Sequence, residues 1–162
     1  MKNTGFRKQI ATAAIICFMA MFSLAAFGDE KNADGGLSGP VKGVYEHYIA
    51  VQKALANDSM KGVAENANAI AAAANSEAKG LPADTAKQAE AVAKAKDIKA
   101  ARQAFKPLSA SLAKYLAENK AGKGVYHEAY CPMAKANWLQ TEKEVRNPYY
   151  GKSMLDCGEL KN

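Results

Sequence analysis

Residues 83–119 read ADTAKQAEAVAKAKDIKAARQAFKPLSASLAKYLAEN, and the run holds no glycine. Alanine and lysine dominate it, and both favour helix. One continuous helix over this span would extend roughly 55 Å at 1.5 Å per residue. That is about twice the length of the helices readable upstream, which could not bury it along its whole length. A turn is therefore expected near Lys96-Asp97, with Asp97 capping the helix that follows. That helix carries Ile98, Ala101, Phe105, Leu108, Leu112 and Tyr115 on one face. Pro107 lies inside it and removes the hydrogen bond to the Gln103 carbonyl, which predicts a kink.

Upstream, Ser38 and Pro40 mark a helix start. Val44, Tyr48, Val51 and Leu55 then recur at spacings of 4, 3 and 4, one face of a helix. Asn57-Asp58-Ser59 interrupts that pattern and can cap a second helix, whose stripe is Val63, Ala67, Ile70 and Ala74. Gly80 suits the end of this helix and Pro82 the first turn of the next. Four amphipathic helices with short connections predict a mainly α fold, an antiparallel four-helix bundle over residues 40–121.

Composition changes at Gly122. Residues 122–162 gather Tyr126, Tyr130, Trp138, Tyr149 and Tyr150, while alanine thins out. Val125-Tyr126-His127 reads as a short strand and Asn137-Trp138-Leu139-Gln140 as its hairpin partner. Asn147-Pro148 and Gly151 mark turns. Such a tail is expected to pack on the helices through its aromatic side chains. Arg146 and Lys152 read as surface charges, and His47 as a solvated or rim histidine.

At the other end, Lys2, Arg7 and Lys8 precede an apolar run from Ile10 to Phe27. Ala26-Phe27-Gly28 then places small residues where a signal peptidase cleaves. Residues 1–28 read as a signal peptide, with Asp29 as mature start, residues 29–39 as a polar, Gly-rich lead-in, and the product as periplasmic or otherwise exported. The run is close to the ~20 residues that span a bilayer. The cleavage site and the polar Asp29-Glu30-Lys31 favour removal over a stable membrane anchor. Isoleucines precede Cys17 where a lipoprotein needs small residues.

The formal charge is +6, and without Lys2, Arg7 and Lys8 there remain 19 basic against 16 acidic residues, or +3. Lysines are scattered, with neither an arginine cluster nor interleaved aromatics, which argues against nucleic-acid binding. No Cys-x-x-Cys is present. His127 and Cys131 lie four apart like a thiol and its base, but no third orienting residue accompanies them. The chain is not expected to be an enzyme.

The chemistry concentrates in the tail. His127, Cys131, Met133, Met154 and Cys157 offer one imidazole and four sulfur atoms. Each half-site sets a thiol and a thioether two or three residues apart, so one short turn can aim both at one point. Thiolate and thioether are soft donors that favour Cu(I) over hard cations. Zinc, which seldom takes thioethers, would draw on His127, Cys131 and Cys157. A Cys131–Cys157 disulfide is the competing reading in an oxidising compartment. Closing that loop would stabilise the fold by roughly 3.5 kcal/mol on a chain-entropy argument, with Met133 and Met154 as core fillers.

The tail resembles a family of bacterial exported domains of unknown function. The resemblance rests on Tyr126, Cys131-Pro132-Met133, Trp138-Leu139, Asn147-Pro148-Tyr149-Tyr150-Gly151, Met154-Leu155 and Cys157-Gly158. Ala101-Arg102, Phe105 and Leu108-Ser109 add to it upstream. Only Ala134 to Asn137 separate Met133 from Trp138 here, where many relatives carry a longer Gly-containing stretch. Domains of this kind also occur attached to periplasmic adaptors of heavy-metal efflux pumps. The resemblance thus implies a role in copper or related metal handling, with an efflux pump or metallochaperone as partner.

Overall fold

The computed structural model describes residues 36, 37, 39–76 and 80–161. The signal peptide, its cleavage site and most of the lead-in lie outside the described residues. The fold is mainly α. Four helices, α1 (Gly39–Ala56), α2 (Val63–Ser76), α3 (Thr85–Ala93) and α4 (Ile98–Asn119), precede a small antiparallel sheet. Its strands are β1 (His127–Cys131), β2 (Ala136–Gln140) and β3 (Glu159–Leu160), in the order β2-β1-β3.

The helical stripes account for the core. Val44, Tyr48, Val51 and Leu55 are fully buried, as are Val63, Ala67, Ile70, Ala101, Phe105, Leu108 and Leu112. Ala71 rather than Ala74 completes the buried face of α2. Leu37 is also buried, so the lead-in contributes to the core just before α1. Each helix packs on the next in sequence, and β2 packs on α4 and α1. Among the described residues, no helix is long and apolar enough to cross a membrane.

The turn at Lys96-Asp97 forms as expected, and Asp97 Oδ1 accepts the Ala100 amide at 2.8 Å. α4 is continuous across Pro107, which sits on the exposed face beside exposed Gln103. The carbonyl that the proline leaves without a donor can there be solvated. Two boundaries differ from expectation. α2 starts at Val63, not after Ser59, because Gly62 at φ 76° breaks the backbone just before it. α3 starts at Thr85, behind an Asp84 N-cap, with Pro82 in the preceding turn, where its carbonyl accepts the Thr85 amide.

The first strand also differs: it begins at His127 rather than ending there. The amides of Val125 and Tyr126 both turn back to the Gly122 carbonyl, so the ladder starts only after this turn. β1 therefore runs into the Cys-Pro-Met motif, and Ala129 and Cys131 are fully buried at alternate positions. β3 completes the sheet without a sequence signal, pairing Ala129 with Leu160 and Tyr130 with Glu159.

Aromatic contacts join the C-terminal segment to the helices. Phe105 of α4 meets Tyr149 with ring centroids 6.3 Å apart, and Tyr45 of α1 meets Tyr126 at 5.4 Å. Trp138 and Tyr149 meet edge to face at 5.8 Å. Tyr48 also bridges the two parts by hydrogen bonds. Its hydroxyl meets Ser109 Oγ at 2.8 Å and accepts the Leu139 amide at 3.0 Å, and burial pushes its ionisation far upward.

Candidate functional site

Cys131 ends β1, and the four residues Pro132–Lys135 turn the chain into β2. Lys135 adopts φ 49° and donates its amide to the Pro132 carbonyl, closing the turn. The fold brings the Ala134 amide to 3.4 Å from Cys131 Sγ. α4 supports the same turn, because Lys106 Nζ donates to the Ala134 carbonyl at 2.9 Å.

The second half-site is built around Asn147, which is fully buried. Its backbone amide donates to the Leu155 carbonyl at 2.7 Å, and its Nδ2 donates to the Cys157 carbonyl at 2.6 Å. Its Oδ1 accepts the Tyr149 and Tyr150 amides, an Asx turn that starts the short 3-10 segment Gly151–Ser153. Tyr149 is fixed in turn by its hydroxyl, which donates to the Asn137 carbonyl of β2.

Gly151 and Gly158 make this loop possible. A Cβ on Gly151, at φ 58°, would overlap the Asp58 carboxylate and the Arg102 guanidinium. Arg102 clamps three segments, donating to the Pro148 carbonyl, the Leu55 carbonyl and Asp58 Oδ1 at 2.8, 2.9 and 2.6 Å. Gly158 has φ 140°, and a Cβ there would lie 2.8 Å from the Tyr130 carbonyl oxygen and 2.9 Å from the Trp138 ring. The missing side chain lets residue 157 lie against the end of β1.

The result is that Cys131 Sγ and Cys157 Sγ stand 3.2 Å apart as free thiols. Their environments are unequal. Burial is the largest influence on Cys131 and works against its thiolate. Donation from the Ala134 amide, the Cys157 thiol, Asn147 and the Met133 amide outweighs it, and the net shift is downward. Cys157 moves upward, first because its S–H is held by Cys131, then through burial and the neighbouring charges of Cys131 and Asp156. Cys131 is thus the more readily ionised thiol of the pair, and Cys157 the less readily ionised.

The remaining predicted donors are placed differently. Met133 is 62% exposed on the hairpin turn, so it is not a core filler. Met154 is half-buried and follows the 3-10 segment, where its carbonyl accepts the Cys157 amide. His127 opens β1, opposite Gln140, whereas Cys131 closes it. Four extended residues separate their Cα atoms by roughly 13 Å, which sets His127 apart from the thiols. Among the described residues, no group of three or more His, Cys, Asp or Glu side chains is placed to hold a metal ion. The His127–Cys131–Cys157 set considered for zinc is therefore not assembled.

His47 is not solvated alone but bonds Asn66 through Nδ1 at 2.8 Å. Arg146 is only half-exposed, and its carbonyl accepts from buried Gln52 at 2.7 Å. The sequence marked Asn147 as a turn residue and Gly158 as part of the tail motif. Their role in joining the two half-sites depends on contacts ten or more residues distant. The Arg102–Asp58 clamp, spanning three segments, had no local signal.

No curated protein and no solved structure matches the chain. A family model described as "Protein of unknown function (DUF3347)" matches residues 44–124. The match covers most of α1, all of α2 to α4 and the turn after them, and ends before β1 and both cysteines. On that match the chain belongs to the DUF3347 family of proteins of unknown function.

Proposed function

We propose that this protein is a periplasmic soft-metal binder, with Cu(I) as its ion and metal handling or efflux as its setting. The observation that carries the reading is the apposition of two free thiols 3.2 Å apart, with ionisation eased at Cys131. Cys131 and Cys157 supply the thiolates, and sulfur donors select a soft ion. A metal–sulfur bond of about 2.3 Å asks two ligands of one ion to stand somewhat farther apart than these sulfurs do. A disulfide at about 2.05 Å asks them to close by a similar amount.

Met133, exposed beside Cys131, suits first capture of the ion and its exchange with a partner. Met154, three residues before Cys157, suits a third ligand. His127 has no supporting geometry and drops out of the set. The helices serve as an antiparallel four-helix scaffold for the pair. A metal efflux pump or a metallochaperone is the partner this chemistry fits. The role is binding rather than catalysis.

The same apposition favours one other reading, a structural module locked by a Cys131–Cys157 disulfide. Anaerobic Cu(I) competition titration of the purified protein separates the two. Stoichiometric binding that is lost in the Cys131→Ser/Cys157→Ser variant supports the copper reading. Unchanged affinity in that variant overturns it. Intact mass gives a second readout, since a quantitative disulfide in protein first loaded with copper supports the structural module.

A further inference from the structure

The two cysteines differ in access. Cys131 is fully buried at the end of the central strand, whereas Cys157 is only half-buried. The hairpin turn packs against the buried sulfur, with the Ala134 amide 3.4 Å from Cys131 Sγ and the Ala134 carbonyl held by Lys106. Cys157 lies between the 3-10 segment and the two-residue β3. Its carbonyl accepts Asn147 Nδ2 and its amide donates to the Met154 carbonyl, so its backbone is fixed while part of its surface meets solvent.

A disulfide is made or broken when a thiolate attacks one of its sulfurs, and access decides which sulfur is attacked. The 3.2 Å between Cys131 Sγ and Cys157 Sγ falls in the ~3–3.5 Å range of atoms poised to react. An exported protein meets oxidants that close such a pair. A closed pair has no thiolate to offer a metal ion.

We propose that Cys157 is the sulfur through which this pair exchanges with a partner protein dithiol, and that Cys131 is the internal sulfur which does not meet the partner. The proposal rests on the metal reading, which requires the pair reduced. One thiolate of the partner attacks Cys157 Sγ of the closed pair. The bond between Cys131 and Cys157 breaks, and a mixed disulfide joins the partner to Cys157. The released electron pair goes to Cys131 Sγ, which the Ala134 amide faces. The partner's second thiolate then attacks the partner's own sulfur in the mixed disulfide. That bond breaks, its electron pair goes to Cys157 Sγ, and the partner departs as a disulfide. The two protons lost by the partner thiols balance the two gained, through water, by Cys131 and Cys157. Two electrons pass from the partner to the pair.

The same geometry sets the partner's class. Cys131 stands 3.2 Å from Cys157 and is placed to expel a monothiol from the mixed disulfide, closing the pair again. A second thiol on the partner completes the reduction before that return.

The test uses the purified protein with its pair first closed by oxidised glutathione. The probe is thioredoxin whose second active-site cysteine is replaced by serine, which traps the mixed disulfide. Peptide mass spectrometry should place the adduct on Cys157 in at least about tenfold excess over Cys131, since exchange follows access. Equal or greater yield on Cys131, or no adduct, overturns the proposal. The single variants give a second readout. Cys131→Ser should react with dithiobis-nitrobenzoate at least about tenfold faster than Cys157→Ser, and equal rates overturn the proposal. Cu(I) titration of protein reduced beforehand involves no exchange, so a failure of the metal reading is seen there, apart from a failure of the trapping.

Discussion

Replacing Gly158 by alanine tests how the two thiols are held together. The residue sits at φ 140°, and the added Cβ would meet the Tyr130 carbonyl oxygen at 2.8 Å and the Trp138 ring at 2.9 Å. Holding a residue with a Cβ in that region costs about 1–3 kcal/mol, and overfilling a packed site costs a similar ~1–3 kcal/mol. The chain need not sustain the whole sum. Tyr130 belongs to β1, which is paired on both sides, and Trp138 is fully buried, so neither yields readily. β3 has only two residues, and shifting residues 157–160 outward gives up a few ladder contacts, including the Lys161 amide to the Glu128 carbonyl at 2.7 Å. At ~0.5–1.5 kcal/mol per hydrogen bond, that route limits the loss to about 2–3 kcal/mol. The same displacement carries Cys157 away from Cys131. Forming a disulfide must then recover the strain, which shifts its equilibrium by roughly 30-fold for 2 kcal/mol. The assay is paired: urea unfolding of the reduced variant, and titration of the disulfide against a glutathione redox buffer. A lower unfolding midpoint with a weakened disulfide is expected. An alanine variant that matches the parent in both would refute the claim that this close approach positions the pair.

Tyr48→Phe should destabilise the protein by about 1–3 kcal/mol in urea unfolding, because the buried Leu139 amide loses the hydroxyl that it donates to, 3.0 Å away. Ser109→Ala should cost less, since that amide keeps the tyrosine oxygen. Asp58 is held below its usual 3.8, first by the Arg102 hydrogen bond and then by the Lys152 amide. A depressed carboxylate contributes stability that is present above the unfolded value and lost as pH falls through the folded one. The unfolding midpoint should therefore decline in acid below about pH 3.8 in the parent and decline less in Asp58→Asn. An equal acid decline in both would count against the clamp. Cys157→Ala removes a hydrogen bond that eases ionisation of Cys131, so the titration of Cys131 should move upward, read from thiolate ultraviolet absorbance; an unmoved midpoint contradicts the hydrogen bond between the two sulfurs.

The helices were legible because their signal is local. Spacings of three and four residues marked buried faces at Val44, Tyr48, Val51 and Leu55, and a single aspartate at position 97 placed the break between α3 and α4. The helix starts after Ser59 and Pro82 were misplaced because a glycine just upstream, or a turn of three residues, overrode the capping residues. The tail was harder to read. β1 was displaced by a turn at Gly122 that leaves little trace in alternation, and two-residue β3 exists only through its pairing with β1. For the site, residue chemistry identified the two cysteines, whereas their apposition depends on Asn147 and Gly158, which act through contacts distant in sequence. His127 was grouped with Cys131 by proximity in the chain. An extended strand converts that proximity into separation.

Cys131 belongs to the central strand of a sheet whose neighbours grip it from both edges. Cys157 rides on a return segment secured mainly by Asn147 and the short β3. The pair therefore works as pincers with one fixed jaw. Whatever opens or closes between the sulfurs, be it an arriving ion or a new covalent link, the travel falls on the Cys157 arm, and substitutions along residues 155–160 will set its ease more than any change within the helices.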